Sequence, residues 1–125
     1  MIKKILCLVL MLLTLGLFSG CSSVSDEDLR AAHKADENGA LIIDVRSKDE
    51  FKAGHVKGAI NIDISVLDKS YSRIAKDKEL IVYCRSGSRS KYAKYLLVKQ
   101  GWIVHDVATQ GDWEREVPPA KKEVK

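Results

Sequence analysis

The sequence predicts an α/β fold in which a small parallel sheet is flanked by helices on both faces, after an N-terminal signal segment. Short apolar runs of strand length alternate with segments of helical pattern along the chain. The runs are continuous rather than alternating, which is typical of strands buried on both faces of a parallel sheet. The length of 125 residues and the 46% hydrophobic content suit one folded domain.

The first twenty residues have the pattern of a signal peptide. Lys3 and Lys4 precede an apolar run from Ile5 to Phe18, which would span about 21 Å as a helix. A bilayer core is about 30 Å thick, so the run has the length of a signal-peptide apolar region rather than of a permanent span. A short buried helix or a plain signal anchor is the alternative.

The segment Leu17-Phe18-Ser19-Gly20-Cys21 resembles a bacterial lipobox, with residues 1–20 as a lipoprotein signal peptide. The resemblance implies that Cys21 is acylated and becomes the mature N-terminus. Its acyl chains would suffice for stable anchoring. We therefore expect a lipid-anchored protein in the bacterial cell envelope, on the periplasmic or extracytoplasmic face of the membrane.

The remaining chain divides into a tether at 21–28, a domain at 29–116 and a flexible tail at 117–125. Ser25 is a predicted N-cap, and Gly39 and Gly101 are predicted helix ends. The strands are predicted at residues 41–45, 59–62, 80–83 and 102–107. The helical segments are predicted at residues 26–38, 49–53, 65–74 and 90–100.

Charge and cysteine content exclude several classes of function. The net charge of +4 falls by two when Lys3 and Lys4 leave with the signal, and the chain has no basic stripe with interleaved aromatics. We expect no nucleic-acid partner, no metal site, no cofactor and a monomer. Cys84 would be the remaining thiol in a compartment that favours disulfides, so it is expected to be reactive, to form an intermolecular bond or to be a small buried hydrophobe.

The loop after the third predicted strand carries the chemistry, because ligand sites in parallel sheets form at the carboxyl ends of strands. Its residues are Cys84-Arg85-Ser86-Gly87-Ser88-Arg89. A tight glycine-containing loop at a helix N-terminus can turn its N–H groups inward around an anion. Together with the two arginines, such a loop favours a thiolate on Cys84. The alternative is a surface loop with two solvated arginines.

This loop resembles the Cys-Arg-x-Gly-x-Arg active-site loop of single-domain rhodaneses. Three further stretches resemble the same family in the same order, although the last, at Gln110-Gly111-Asp112, has one glycine where the family has a pair. The resemblance covers about Ala35 to Trp113. The matching stretches are Asp44-Val45-Arg46 with Glu50-Phe51, Gly54 to Ile62, and Gly101-Trp102 with Gly111 to Trp113.

The resemblance implies sulfur transfer through Cys84. The thiolate would take the outer sulfur of a small anion such as thiosulfate or polysulfide, and the persulfide would pass it to cyanide or an acceptor thiol. Arg85 would bind the donor, and Arg89 would hold the loop closed, with Glu50 as a candidate partner. Ser86 and Ser88 would leave room for the donor, and Gly87 would allow the turn.

Two further features near the predicted site have structural interpretations. Asp44 and Arg46 are expected to form an ion pair or turn hydrogen bonds rather than to contact substrate. His55, between Gly54 and Gly58, is expected to be a turn residue whose imidazole bonds the backbone.

Two other functions remain open on the sequence. Cysteine phosphatases and arsenate reductases have five residues between cysteine and arginine, and this loop has four, a ring that suits a single sulfur atom better than a tetrahedral oxyanion. A sulfur-carrier or redox-partner module without useful turnover is the other alternative.

Overall fold

A computed structural model of the protein describes residues 24–122. The predicted signal peptide and the lipobox cysteine, Cys21, lie outside the described residues, as do the last three residues. Within 24–122, no helix has both the length and the apolar character needed to cross a membrane.

The centre of the fold is a four-stranded parallel sheet, as predicted. Its strands are β1 (Leu41–Asp44), β2 (Ile60–Asn61), β3 (Leu80–Cys84) and β4 (Val104–Thr109). The spatial order is β2-β1-β3-β4, and each neighbouring pair is parallel. β3 therefore lies inside the sheet, and its five residues are all buried.

Helices cover both faces of the sheet. They are α1 (Asp26–Glu37), α2 (Lys48–Ala53), α3 (Leu67–Ser70), α4 (Ser88–Lys99) and α5 (Gln110–Glu114). Leu29 of α1 and Trp113 of α5 pack with Ile81 and Val107 on one face. The other face carries a second apolar cluster, to which α3 and α4 contribute Leu67, Ala93 and Leu97. The predicted fold class is thus confirmed.

Side-chain caps explain where several helices begin. Ser25 accepts a hydrogen bond from the backbone N–H of Asp28, as its position in the sequence predicts. Ser47 and Glu50 form a reciprocal capping box at the start of α2. Thr109 accepts a hydrogen bond from the N–H of Asp112 and begins α5, a short helix that the sequence did not predict.

Most predicted elements agree with the structure to within two residues at each end, and the segment at 65–74 and the start of the fourth strand need a physical explanation. The segment predicted as one helix at 65–74 consists of a 3-10 turn (Ile64–Val66), α3 and a second 3-10 turn (Tyr71–Arg73). The fourth strand begins two residues later than predicted because Trp102 turns into the core, where it is 4% exposed. Its indole N–H donates to the carbonyl oxygen of Ala75, 3.0 Å away.

The folded region also reaches further toward both ends than the boundaries 29 and 116 that were predicted. Val24 is 5% exposed and belongs to the core, so the predicted tether at 21–28 is part of the domain from that residue on. At the other end, Val117 packs against the same cluster. Arg30 donates a hydrogen bond to the carbonyl oxygen of Pro118, so the first residues of the predicted tail at 117–125 also contact the domain.

Candidate active site

Cys84 is the last residue of β3, and its sulfur points into the loop that follows. The residue is 1% exposed. Its Sγ accepts a hydrogen bond from the backbone N–H of Gly87 at 3.1 Å and another from the N–H of Ser90 at 3.4 Å. The hydroxyl oxygen of Ser90 lies 3.6 Å from Sγ. The buried thiol therefore faces hydrogen-bond donors, although its carbon atoms pack in the apolar core.

This environment favours the thiolate. Burial by itself raises the pKa of Cys84, but hydrogen bonds from Ser90, Gly87 and Ser86 outweigh burial and hold the pKa below its ordinary value. Position at the N-terminus of α4 acts in the same direction, since the helix dipole favours negative charge there. The site can thus hold a negative charge on sulfur, whether on a thiolate or on a persulfide.

The shape of the loop depends on a close approach between Gly87 and β4. Gly87 has a φ of +93°, which is unfavourable for residues with a Cβ atom. A Cβ built on Gly87 would lie 3.3 Å from the Cβ of Ala108. Ala108 itself has a φ of 58°, and Asp106 supports it by accepting a hydrogen bond from its N–H. Two backbone positions with positive φ therefore meet beside the loop.

Glu50 holds both arginines of the loop. Arg89 makes two bonds to its carboxylate, at 2.7 Å and 3.0 Å, which is the contact that the sequence predicts for Arg89. The Nε of Arg85 lies 3.1 Å from the same carboxylate, although the Arg85 side chain is 73% exposed. The hydrogen bonds from Arg89, followed by those from Ser47, hold the pKa of Glu50 well below its usual range, although desolvation acts in the opposite direction.

A buried polar network lies at the ends of β1 and β3. The carboxylate of Asp44 accepts bonds from the guanidinium of Arg46 at 2.6–3.0 Å and from the hydroxyl of Tyr83 at 2.8 Å. Tyr83 in turn accepts a bond from the N–H of Val56, and Arg46 donates to the carbonyl oxygen of Gly54. The expected ion pair of Asp44 and Arg46 is present, and it fixes the turn between α2 and β2.

His55 lies in that turn, as expected from its flanking glycines. Its Nδ1 is 2.8 Å from the carbonyl oxygen of Phe51, and its ring stacks on the ring of Phe51. No hydrogen bond joins His55 to Cys84 among the contacts of the described residues, and its interactions are those of a turn residue.

A cavity of about 540 Å³ borders the loop on the side of α4 and β4. Ser86, Gly87 and Ser88 contribute to its wall, so three of the predicted substrate-binding residues meet there. The other lining residues are Val24, Lys91, Lys94, Asp106 and Ala108.

Sequence reasoning missed the hydroxyl of Ser90, Ala108 and the two lysines of the cavity. Ser90 had a usable signal, because a hydroxyl in the first turn of the helix after the loop can reach back to it. Ala108 had none, since only the packing of β4 against the loop brings it near Gly87.

Comparison with known proteins identifies the family. Residues 26–110, more than half of the chain, match the family model for the rhodanese-like domain. The Bacillus subtilis protein YqhL is 37% identical over 79 residues, which cover 63% of this chain and 60% of YqhL, so the chain spans less than two thirds of that relative. A sulfurtransferase of Allochromatium vinosum is 31% identical over 77 residues, or 62% of this chain and 72% of the relative.

A solved structure agrees in fold. The human single-domain sulfurtransferase TSTD1 has a TM-score of 0.60 and 29% identity, with 78% of this chain and 99% of that chain covered. The parallel sheet, the cysteine loop at its carboxyl edge and the family match lead to one conclusion. The chain belongs to the rhodanese-like domain family and has sulfurtransferases among its relatives.

Proposed function

We propose that the protein is a sulfurtransferase that moves a sulfane sulfur from thiosulfate or polysulfide to a thiol or cyanide through a persulfide on Cys84. The observation that carries the proposal is the position of Sγ, which accepts hydrogen bonds from two loop N–H groups at 3.1 Å and 3.4 Å. The same donors suit the negative outer sulfur of a persulfide, because preorganised N–H groups stabilise charge as it develops.

The first half-reaction forms the persulfide. The Cys84 thiolate attacks the outer sulfur of thiosulfate, a new S–S bond forms, and the bond to the sulfonate sulfur breaks. Its electron pair leaves with sulfite, and the negative charge of the thiolate passes to the outer sulfur of the persulfide. In the second half-reaction an acceptor thiolate or cyanide attacks that outer sulfur, and the electron pair of the S–S bond returns to Cys84.

Arg85 is the residue we assign to donor binding. Its side chain is exposed and its Nε contacts Glu50, so Glu50 positions a guanidinium at the rim of the loop. Arg89 is the residue we assign to holding the loop, because Glu50 engages two of its nitrogens. An arginine used in this way is not directed at a tetrahedral oxyanion, which favours sulfur transfer over phosphate or arsenate chemistry.

The decisive experiment is mass spectrometry of the intact full-length protein after treatment with thiosulfate. We expect a gain of one sulfur atom on Cys84 that cyanide removes, and no gain in Cys84→Ser. A folded protein that gains no sulfur would overturn the proposal. A persulfide that forms but does not turn over in steady state with cyanide or thiol acceptors would point to the carrier module instead.

The rival hydrolytic activity has its own assay. The same preparation is tested on an aryl phosphate and on arsenate beside thiosulfate. We expect thiosulfate turnover alone, and phosphate hydrolysis at a comparable rate would replace sulfur transfer as the function.

We further propose that Cys21 carries the lipid anchor and that the domain lies on the extracytoplasmic face of a bacterial membrane. The lipobox-like segment Leu17 to Cys21 supports this. Expression in a bacterial host with a labelled fatty acid tests it, with label expected in the wild type and absent from Cys21→Ser. Unlabelled wild-type protein would contradict the anchor and leave the sulfur-transfer proposal untouched.

A further inference from the structure

The solvent side of α4 has the composition of a surface that contacts a membrane. While Ala93 and Leu97 are fully buried against the sheet, Tyr95 is 64% exposed and Val98 is 49% exposed. Tyr95 and Val98 line a shallow groove of about 510 Å³ together with three lysines. We call this surface the basic face, and it comprises Lys91, Lys94, Tyr95, Val98 and Lys99.

Charge on this helix is of one sign. α4 contains no acidic residue, and Glu50 engages its one arginine, Arg89, at the opposite end of the helix from Lys99. Asp106 is the acidic residue in the cavity next to Lys91 and Lys94, and its carboxylate accepts a bond from the backbone N–H of Ala108. Lysines beside exposed tyrosine and valine suit an anionic lipid surface, which attracts the charges and takes the side chains into its interface.

The start of the described chain is fixed beside the basic face. Val24 lines the same cavity as Lys91 and Lys94. Arg115 holds it there, because its guanidinium donates to the carbonyl oxygen of Val24 at 2.9 Å and to Asp26 at 2.7 Å. Cys21 precedes Val24 by three residues, a separation that the chain can stretch to at most about 11 Å.

We propose that the basic face lies against the anionic surface of the bilayer that holds the acylated Cys21. The inference rests on the lipid anchor proposed above and goes beyond it by fixing the orientation of the domain. A tether this short brings the lipid surface close to Val24, and Lys91 and Lys94 of the basic face line the same cavity as that residue. Ser86, Gly87 and Ser88 border the same cavity, so this orientation brings the loop close to the headgroups, where the sulfur acceptor would be met.

Lysine footprinting of the acylated mature protein, which begins at Cys21, tests the orientation without any substitution. The protein is reconstituted into vesicles of phosphatidylcholine alone or of phosphatidylcholine with phosphatidylglycerol, and treated with a membrane-impermeant acetylating reagent. Mass spectrometry then gives a rate for each lysine. The matched controls within the same chain are three exposed lysines outside α4, namely Lys52, Lys57 and Lys69.

With phosphatidylglycerol present, we expect acetylation of Lys91, Lys94 and Lys99 to slow severalfold, and high salt to restore it because screening weakens the attraction. The three control lysines should keep their rates. The proposal would be overturned if all six lysines were acetylated at equal rates, or if phosphatidylcholine alone gave the same protection. Protection in the absence of vesicles would also overturn it, because it would indicate a second copy of the chain as the occupant. An unacylated Cys21 in the same spectra would also overturn it, because the tether would be missing.

Thiosulfate turnover is measured on the same vesicles. If the lysines are protected but no thiosulfate is turned over, the sulfurtransferase assignment is contradicted and the orientation stands. Failure of the proposed function and failure of the proposed orientation are therefore distinguishable.

Discussion

At the scale of single residues, the hydroxyl of Ser90 affects the pKa of Cys84 in addition to the backbone N–H groups of the loop. This hydroxyl has one proton and two neighbouring acceptors, since it lies 3.6 Å from Sγ and donates to the carbonyl oxygen of Gly87 at 3.1 Å. When Cys84 is a thiol, the S–H can donate to Ser90 while Ser90 donates to Gly87. When Cys84 is a thiolate, the Ser90 hydroxyl can turn and donate to sulfur, which stabilises the charge.

Ser90→Ala should therefore raise the pKa of the Cys84 thiol, because a hydrogen bond that favours the thiolate is lost. The pKa is measured from ultraviolet thiolate absorbance, with the Cys84→Ser spectrum subtracted. The rising limb of kcat/KM against pH should move to higher pH in the same variant. Ser88→Ala is the matched control, since Ser88 is exposed and should leave the thiol pKa in place; an unchanged pKa in Ser90→Ala would refute the role.

Arg85→Ala should raise the KM for thiosulfate by about tenfold with a smaller change in kcat, as expected for loss of one charge-assisted contact. Steady-state kinetics with varied thiosulfate measure this. Arg85→Lys keeps the charge and should recover part of the affinity. An unchanged KM in Arg85→Ala would remove Arg85 from the donor site.

At the scale of elements, the loop between β3 and α4 takes its shape from β4. The register of β3 with β4 shifts between the pairs Val82–Asp106 and Cys84–Thr109. Ala108, with its positive φ, lies in the segment of β4 between these two pairs. The bulge brings the Ala108 side chain against Gly87. A loop fixed from outside in this way keeps its N–H groups aimed at sulfur without a side-chain cap on α4.

Gly87→Ala and Gly58→Ala separate backbone strain from this contact. Both positions have positive φ, +93° and +83°, but a Cβ on Gly58 would meet nothing within 4 Å. Each variant should lose about 1–2 kcal/mol of unfolding free energy from the unfavourable φ, as measured by urea denaturation. Gly87→Ala should in addition lose most of its thiosulfate turnover because the loop must move away from Ala108. Equal activity in the two variants would show that the contact does not shape the site.

At the scale of the whole molecule, one buried network joins the sheet to the segment that follows α2. Tyr83 is fully buried; its hydroxyl donates to Asp44 and accepts from the N–H of Val56. Burial raises the pKa of Tyr83 to about 12 despite the bond from Val56, and the carboxylate of Asp44 adds to the effect. Tyr83 thus stays neutral and keeps donating across the physiological range of pH.

Tyr83→Phe should lower the free energy of unfolding by about 1–3 kcal/mol, because it leaves the N–H of Val56 and an oxygen of Asp44 without this partner. Urea denaturation followed by circular dichroism measures the loss. Tyr92→Phe makes the same chemical change at a residue that is 54% exposed and should stay within about 0.5 kcal/mol of the wild type. Equal losses in both variants would mean that the network adds nothing to stability.

Periodicity and local chemistry were sufficient for much of this fold. The continuous apolar run of residues 41–45 predicted β1, and the capping serine at 25 predicted the start of α1. Both predictions succeed because the burial of a strand on both faces and the capping of a helix depend on residues that are neighbours in the chain. The pattern of residues 65–74 was misleading. Apolar positions there have helical spacing, but the chain makes only one α-helical turn between two 3-10 turns.

The sequence alone was sufficient to predict the parallel α/β architecture, because continuous apolar runs alternate with helical patterns. It also predicted the place of Cys84 at the end of a strand and the glycine loop beside it, because these depend on residues adjacent in the chain. Tertiary structure decided what surrounds the sulfur. The carboxylate of Glu50, the methyl group of Ala108 and the cavity beside Val24 reach the loop from three other parts of the chain. Family resemblance named Glu50 as a candidate partner of Arg89, but its contact with Arg85 and the approach of Ala108 and Val24 follow from how the helices pack on the sheet.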